Sequence, residues 1–319
     1  MNWKVAGMAS TALVAVALTG VSATAGANKF TGNISLAVGQ SWEDDDLPLG
    51  PFSIFDDSFT SITGDAQVNV AFSNNINLQL GFTGVGAFTD DGNPLNISFD
   101  RDASFQGDAH LYYRTDRYAV GIFAGGGISS GPDLFVFGSP TAEFYFAGVE
   151  GQYYWNDFTF GLSGGYFDSS SDQLTLLALL GPPFNGDDLY LNSAWFANAE
   201  VRWYASPKFA LTANVGYISG DSVLSFAETD VFHWGAKASY WPEEKESLEL
   251  WVAYEGRTSE LEWNRPPVPA FIPDIDKDVH TVKIGVTFHF GVDEGGAKAQ
   301  DRNGPAWNNT DYGAIVVGG

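Results

Sequence analysis

The sequence predicts an all-β fold, a transmembrane antiparallel up-and-down β-barrel of about twelve strands. Three observations predict it. Apolar and polar or small residues alternate over segments of about ten positions from Phe30 to Phe290. The connections between these segments are alternately short and long, and aromatic residues flank the short ones. A period of two gives a strand two unlike faces, and closing the sheet removes the unpaired edges that a bilayer does not tolerate.

The chain begins with a single charge, Lys4, an apolar run from Ala12 to Val21 and small-residue sites at Ala23-Thr24-Ala25 and Ala25-Gly26-Ala27. This is the layout of a signal peptide, assigned to residues 1–27. The run is too short for a membrane anchor, which needs roughly 20 apolar residues, and polar residues interrupt every later apolar stretch. The expected organisation is a signal peptide over 1–27, a barrel over 28–290 and a tail over 291–319.

There is no cysteine, so neither disulfides nor thiolate metal sites are available. With 39 acidic against 15 basic residues the net charge is -24, which makes nucleic acid a poor partner. Glycine (37 residues) and aromatics (15%) are both abundant, a pairing that favours sheet with tight turns. A secreted soluble β-sandwich shares that composition, so the order of the connections has to decide.

Strands are predicted over 30–41, 59–73, 76–88, 103–115, 118–128, 142–155, 158–167, 190–204, 209–218, 228–241, 248–257 and 279–290. Gln67-Val68-Asn69-Val70-Ala71-Phe72 and Ile76-Asn77-Leu78-Gln79-Leu80 are typical of the alternation. Short turns fall at Asn74-Asn75, Asp116-Arg117, Asn156-Asp157, Ala205 to Lys208 and Pro242 to Ser247, with long loops between. Short turns on one rim and long loops on the other belong to membrane barrels. A sandwich has no reason to keep that order.

On the apolar face the short turns are flanked by Phe72, Tyr113, Tyr118, Trp155, Phe158, Trp203, Phe209 and Tyr240, with Phe290 closing the last strand. Amphipathic rings collect where hydrocarbon meets water, so these residues are the expected membrane-interface girdle of one rim. Phe88, Tyr166, Tyr217, Phe232, Trp234 and Tyr254 are candidates for the other.

The last strand reads Val279-His280-Thr281-Val282-Lys283-Ile284-Gly285-Val286-Thr287-Phe288-His289-Phe290. Here, and over about residues 28–290, the chain resembles the Gram-negative outer-membrane β-barrel (porin-like) superfamily, whose final strand alternates in this way and ends in Phe. The resemblance implies the bacterial outer membrane as location, lipid and lipopolysaccharide as surroundings, and the barrel-assembly machinery as a partner during biogenesis. It indicates no particular family. In many members the terminal Phe is the last residue, whereas here 29 residues follow. Rich in Gly, Asn and Asp, they are expected to form a flexible periplasmic extension, with a plug inserted in the lumen or a docking peptide as alternatives. Both termini are then expected in the periplasm.

If the apolar face meets lipid, the alternate face lines a lumen. Its expected charged residues are Asp65, Asp108, Glu150, Glu200, Glu249 and Glu255 against Arg114, Arg202, Lys237, Arg257 and Lys283, with His110, His233 and His289. Gly121, Gly125, Gly127, Gly161 and Gly165 on the fifth and seventh strands predict free space beside them. Two readings follow, a narrow pore with a glycine side and a charged side, or charges that pair across a filled interior. Eight strands are filled by side chains and roughly 16 to 18 leave a channel, so twelve decides neither.

The six long loops hold 21 acidic against 3 basic residues. Asp44-Asp45-Asp46, Asp56-Asp57, Asp90-Asp91, Asp100 and Asp102 offer oxygens for loosely bound divalent cations, without the spacing of a defined calcium loop. Leu174 to Leu180 and the proline-rich stretch from Pro266 to Pro273 are candidates for packing against the rim or folding inward. No cofactor is predicted.

The expected function is therefore a porin-like passive channel for small polar solutes. A nonconducting anchor presenting acidic loops is a second reading. A third is a membrane-embedded lipid hydrolase or acyltransferase, which needs a Ser-His pair; only His280 with Ser259 or Ser225 suggests one.

Overall fold

The computed structural model describes residues 29–45, 58–72, 75–88, 103–130, 141–170, 191–222, 227–242, 247–263, 275–292, 296–308 and 310–313. The leader segment and the stretches from Leu174 to Leu180 and from Pro266 to Pro273 lie outside them, as do all the loop carboxylates named above except Asp44 and Asp45. Twelve strands are formed: β1 (Lys29–Asp45), β2 (Ser58–Ala71), β3 (Ile76–Phe88), β4 (Ala103–Arg114), β5 (Tyr118–Ser130), β6 (Thr141–Trp155), β7 (Phe158–Ser170), β8 (Leu191–Ser206), β9 (Phe209–Ser222), β10 (Ala227–Tyr240), β11 (Leu248–Trp263) and β12 (Ile275–Phe290).

Each strand pairs antiparallel with its sequence neighbours, and β1 closes the barrel against β12. At the seam Gly32 lies opposite Phe290, whose ring fills the space a side chain at position 32 would need. Asn75 (φ 66°) and Asn156 (φ 48°) take the left-handed conformation in two of the short turns, a conformation in which asparagine is enriched. In the turn between β4 and β5, Thr115 Oγ1 accepts from the amides of Tyr118 (3.1 Å) and Arg117 (3.3 Å).

At the long-loop rim the strands outrun the alternation that predicts them. β11 reaches Trp263 and β12 begins at Ile275, so Glu260 pairs with Asp276 and Thr258 with Asp278. Backbone pairing continues there with polar residues on both faces, Ser259 and Lys277 inside and Glu260 and Asp276 outside, and two polar faces leave no period-two signal.

The apolar face is the outer one. Leu162 and Ile284, near the middle of their strands, are 67% and 68% exposed, a burial that only a surrounding hydrocarbon phase can supply. Charged residues on this face, such as Asp168, Asp230 and Glu260, stand at the long-loop ends. At the short-turn rim Tyr113 meets Tyr118 (ring centroids 6.3 Å), and Trp155, Phe158 and Trp203 stack in a row at 6.1 and 6.3 Å. Phe72 and Tyr240 are half exposed on the same rim, and Phe209 and Phe290 complete it. The substitution Leu162→Arg is expected to cost about 2–4 kcal/mol of barrel stability, read as a lower denaturant midpoint in lipid, because a cation there meets the hydrocarbon midplane.

The tail departs from expectation. Instead of extending from the barrel, its described residues fold back inside. After Phe290 the chain turns at Gly291 (φ 78°) and forms α1 (Ala297–Asn303) across the short-turn mouth. There Ala297 N–H donates to Pro207 O (2.8 Å) and Lys298 pairs with Asp157 (2.9 Å). Residues 304–308 and 310–313 climb the lumen until Gly313 O accepts from Ser129 Oγ (3.0 Å), near the long-loop end of β5. Judged alone, the tail's composition buries little, but the barrel interior supplies partners for its backbone and pockets for its aromatic residues.

Candidate functional site

The lumen has three sectors, each set by which side chains its strands turn inward. The first is apolar. Phe123, Phe144, Phe146, Phe167 and Phe196 point inward from β5 to β8 and pack with Ile218, Val231 and Tyr312. The expected free space beside the glycines is absent here. Gly125 lies directly across from Phe146, Gly127 from Phe144, Gly148 from Phe123 and Gly165 from Phe196. The phenyl ring in each case covers the space a Cβ would take. A missing side chain on one strand is thus filled by a large one on the next. Gly121 is closed off by Tyr112, and Gly161 touches Glu200.

The second sector is polar and holds the tail. Gln67 and Gln79 each donate an amide N–H to Trp307 O (3.0 and 2.8 Å), while Gln79 Oε1 accepts from Ala306 N (2.8 Å). Gln152 donates to Ala306 O (2.6 Å), and Gln106 bonds both Thr310 O (2.7 Å) and Tyr312 N (3.1 Å). Arg114 holds Gly304 O (2.8 Å) and Arg302 O (3.2 Å). Arg202 pairs with Asp301 and with Glu200 (2.5 Å), whose other oxygen accepts from Asn308 (2.9 Å). Buried backbone groups require partners, and side-chain amides, which donate and accept at once, supply them.

Between these sectors His110 bridges two carboxylates, Nε2 to Asp108 Oδ1 (2.9 Å) and Nδ1 to Glu150 Oε2 (2.9 Å). Its ring stacks on Phe123 (5.5 Å) and Trp307 (6.5 Å). Tyr312 sits among Phe146 (4.5 Å), Phe196 (5.1 Å) and Phe167 (6.1 Å). Burial pushes its phenol above the usual range, opposed by hydrogen bonds to Asn198 and Thr310.

The third sector is charged and belongs to β10, β11, β12, β1 and β2. Glu249 binds Lys237 (2.8 Å), His289 (2.8 Å) and Ser239 (2.7 Å). Lys283 pairs with Glu255 (2.7 Å), and Asp65 accepts from Thr83 (2.8 Å). His233 bonds Asn198 (3.1 Å) and lies across from Arg257. The Glu255 side chain is 48% exposed at the middle of β11 and Lys237 is 34% exposed, so water reaches this wall at those two residues, while Glu249, Arg257 and His289 are buried.

All fourteen residues expected to line the lumen stand on the inner face, in two separate groups. Asp108, His110, Arg114, Glu150, Glu200 and Arg202 form the wall around the tail, and the other eight lie on β2 and β10 to β12. Sequence reasoning missed the four glutamines and the inward phenylalanines. The available signal was the alternation itself, which places Gln67, Gln79, Gln106 and Gln152 inward but does not say what they hold.

The Ser-His pairing is overturned for Ser259. Its side chain is buried on the inner face, whereas His280 faces outward, its Nδ1 2.8 Å from the Tyr254 hydroxyl. Residues of opposite parity on paired strands stand on opposite faces. Ser225 lies outside the described residues. Among the described residues no group of three or more His, Asp or Glu is arranged to hold a metal ion.

No protein-family model and no curated protein matches the chain. Solved structures do. An outer-membrane channel from Pseudomonas putida F1 aligns over 85% of this chain and 98% of its own, at 11% identity and a TM-score of 0.46. A KdgM porin in complex with disordered oligogalacturonate aligns over 80% and 99%, at 10% identity and 0.39. The translocator domain of the autotransporter NalP from Neisseria meningitidis aligns over 89% and 96%, at 13% identity and 0.36. The structural neighbours are outer-membrane β-barrels, and at these identities the likeness is one of fold.

Proposed function

We propose that this porin-like barrel is a passive outer-membrane channel for small polar solutes, with the solute path along the charged sector, beside the tail. The observation that carries the reading is Glu255, a carboxylate half open to water at mid-strand and paired with Lys283. Water reaching charged groups at that depth is the condition for a hydrated path. Both signs line it, which favours orienting a dipolar solute over strong selection of one ion. The rim with short turns faces the periplasm in this reading, lipid and lipopolysaccharide surround the outer face, and the barrel-assembly machinery inserts the chain. The barrel performs no chemistry. Loop carboxylates loosely bridged by divalent cations at the outer rim are compatible with it.

Planar-bilayer recording tests this. Wild-type protein is expected to give small, stable conductance steps with weak ion preference. In Glu255→Gln the Lys283 ammonium loses its partner, and the path becomes more attractive to anions. One unit charge at about 4 Å in water is worth about 1 kcal/mol, of opposite sign for the two ions, so the anion-to-cation permeability ratio is expected to rise by up to about thirtyfold. A silent wild type would remove the channel reading. The nonconducting anchor would then take its place, favoured by the lumen filling of the tail.

A further inference from the structure

We propose that the inner wall from β2 to β8 is a binding site for an extended peptide, and that the tail segment described over residues 304–308 and 310–313 is its resident, exchangeable ligand. The wall reads backbone and side chain separately. Gln67, Gln79, Gln106 and Gln152 meet carbonyl and amide groups at Ala306, Trp307, Thr310 and Tyr312, as a strand edge would, although the segment adds no strand to the barrel. Side-chain pockets occur at two places five residues apart. Trp307 lies between His110 and the edge of Tyr112 (6.1 Å), and Tyr312 enters the phenylalanine cage. Main-chain hydrogen bonds that give affinity and spaced pockets that give selectivity are the two parts of extended-peptide recognition.

Exchange follows from how the segment is attached. The β1–β12 seam closes without it. The bonds that hold it come from long amides, arginines and hydroxyls, groups that turn to water when it leaves. Trp307 Nε1 is buried with no hydrogen-bond partner among the described residues, which weakens docking relative to a fully satisfied insertion. α1, of seven residues, is too short to hold itself helical once detached from the mouth. The segment is therefore a tethered ligand, and a free peptide carrying the same anchors competes for its place.

The probe is a fluorescein-labelled peptide, Gly-Pro-Ala-Trp-Asn-Asn-Thr-Asp-Tyr-Gly, added to full-length folded barrel and followed by anisotropy. Trp307→Ala/Tyr312→Ala is expected to bind it about tenfold or more tightly than wild type, whose tethered copy competes at high effective concentration. A control peptide with both aromatics replaced by alanine is expected to bind neither protein. Absence of saturable binding to the folded variant, or equal binding of the control, overturns the proposal. A second form covers failure of that variant to fold. Ser104 Oγ and Asp311 Oδ1 lie 3.4 Å apart and the chain has no cysteine, so Ser104→Cys/Asp311→Cys can lock the segment. Oxidised, it is expected to exclude the peptide; reduced, to bind it as wild type does. No change on reduction also overturns the proposal. Bilayer recording of the same samples separates this from the solute path, since a barrel that exchanges peptide yet conducts nothing retains the site and loses the channel.

Discussion

Replacing His110 with leucine is expected to destabilise the folded barrel by about 3–5 kcal/mol, the range for removing one partner from a buried ionic group. His110 sits between Asp108 and Glu150 at 2.9 Å on each side, and all three side chains are at most 7% exposed. Phe123 and Trp307 stack against the ring. Leucine would fill the volume and leave two carboxylates side by side without a donor. Urea unfolding in lipid, followed by loss of heat-modifiable gel mobility, measures the effect. Asp108→Leu and Glu150→Met added to His110→Leu are expected to recover most of the loss, since replacing every partner by an apolar group of similar shape leaves neither charge nor unsatisfied polar atom. Failure of the triple variant to recover would mean that packing, not charge, is what His110 supplies.

Ending the chain at Gly304 is expected to give the largest change in transport. The deletion removes the segment bearing Trp307 and Tyr312 while keeping α1 at the mouth. Every strand pairing, including the β1–β12 seam, is made by residues that remain, so the barrel is expected to fold. Inside, the four glutamines lose the backbone they hold, and the cage of Phe146, Phe167 and Phe196 opens to water. Single-channel conductance is expected to rise severalfold, and liposome swelling to admit larger uncharged solutes. Conductance equal to that of the full chain would show that the narrowest point of the path lies elsewhere. That result would also locate the path wholly within the charged sector.

The barrel itself was legible because its signals are local. Alternation along one strand reports that the strand has two faces, and Tyr113, Tyr118, Trp155, Phe158 and Trp203 report where those faces cross the membrane boundary. Inward charges such as Glu255 and Lys283 followed from parity alone. The glycines were misread for the opposite reason. Gly125 and Gly165 are gaps only until the register sets Phe146 and Phe196 directly across from them, and register is a relation between strands.

The sequence by itself therefore determined the class of fold, the number of strands, the lipid face and the side of the sheet on which each charge stands. These depend on a period of two and on transfer of side chains between water and hydrocarbon, which neighbouring residues along the chain suffice to express. Only the tertiary structure decided that the tail occupies the lumen, that His110 joins Asp108 to Glu150, and that the remaining charges gather on the opposite wall. Those facts depend on residues far apart in the chain, such as Gln79 and Trp307, whose mutual satisfaction arises only when closure brings a polar wall and an unpaired backbone together.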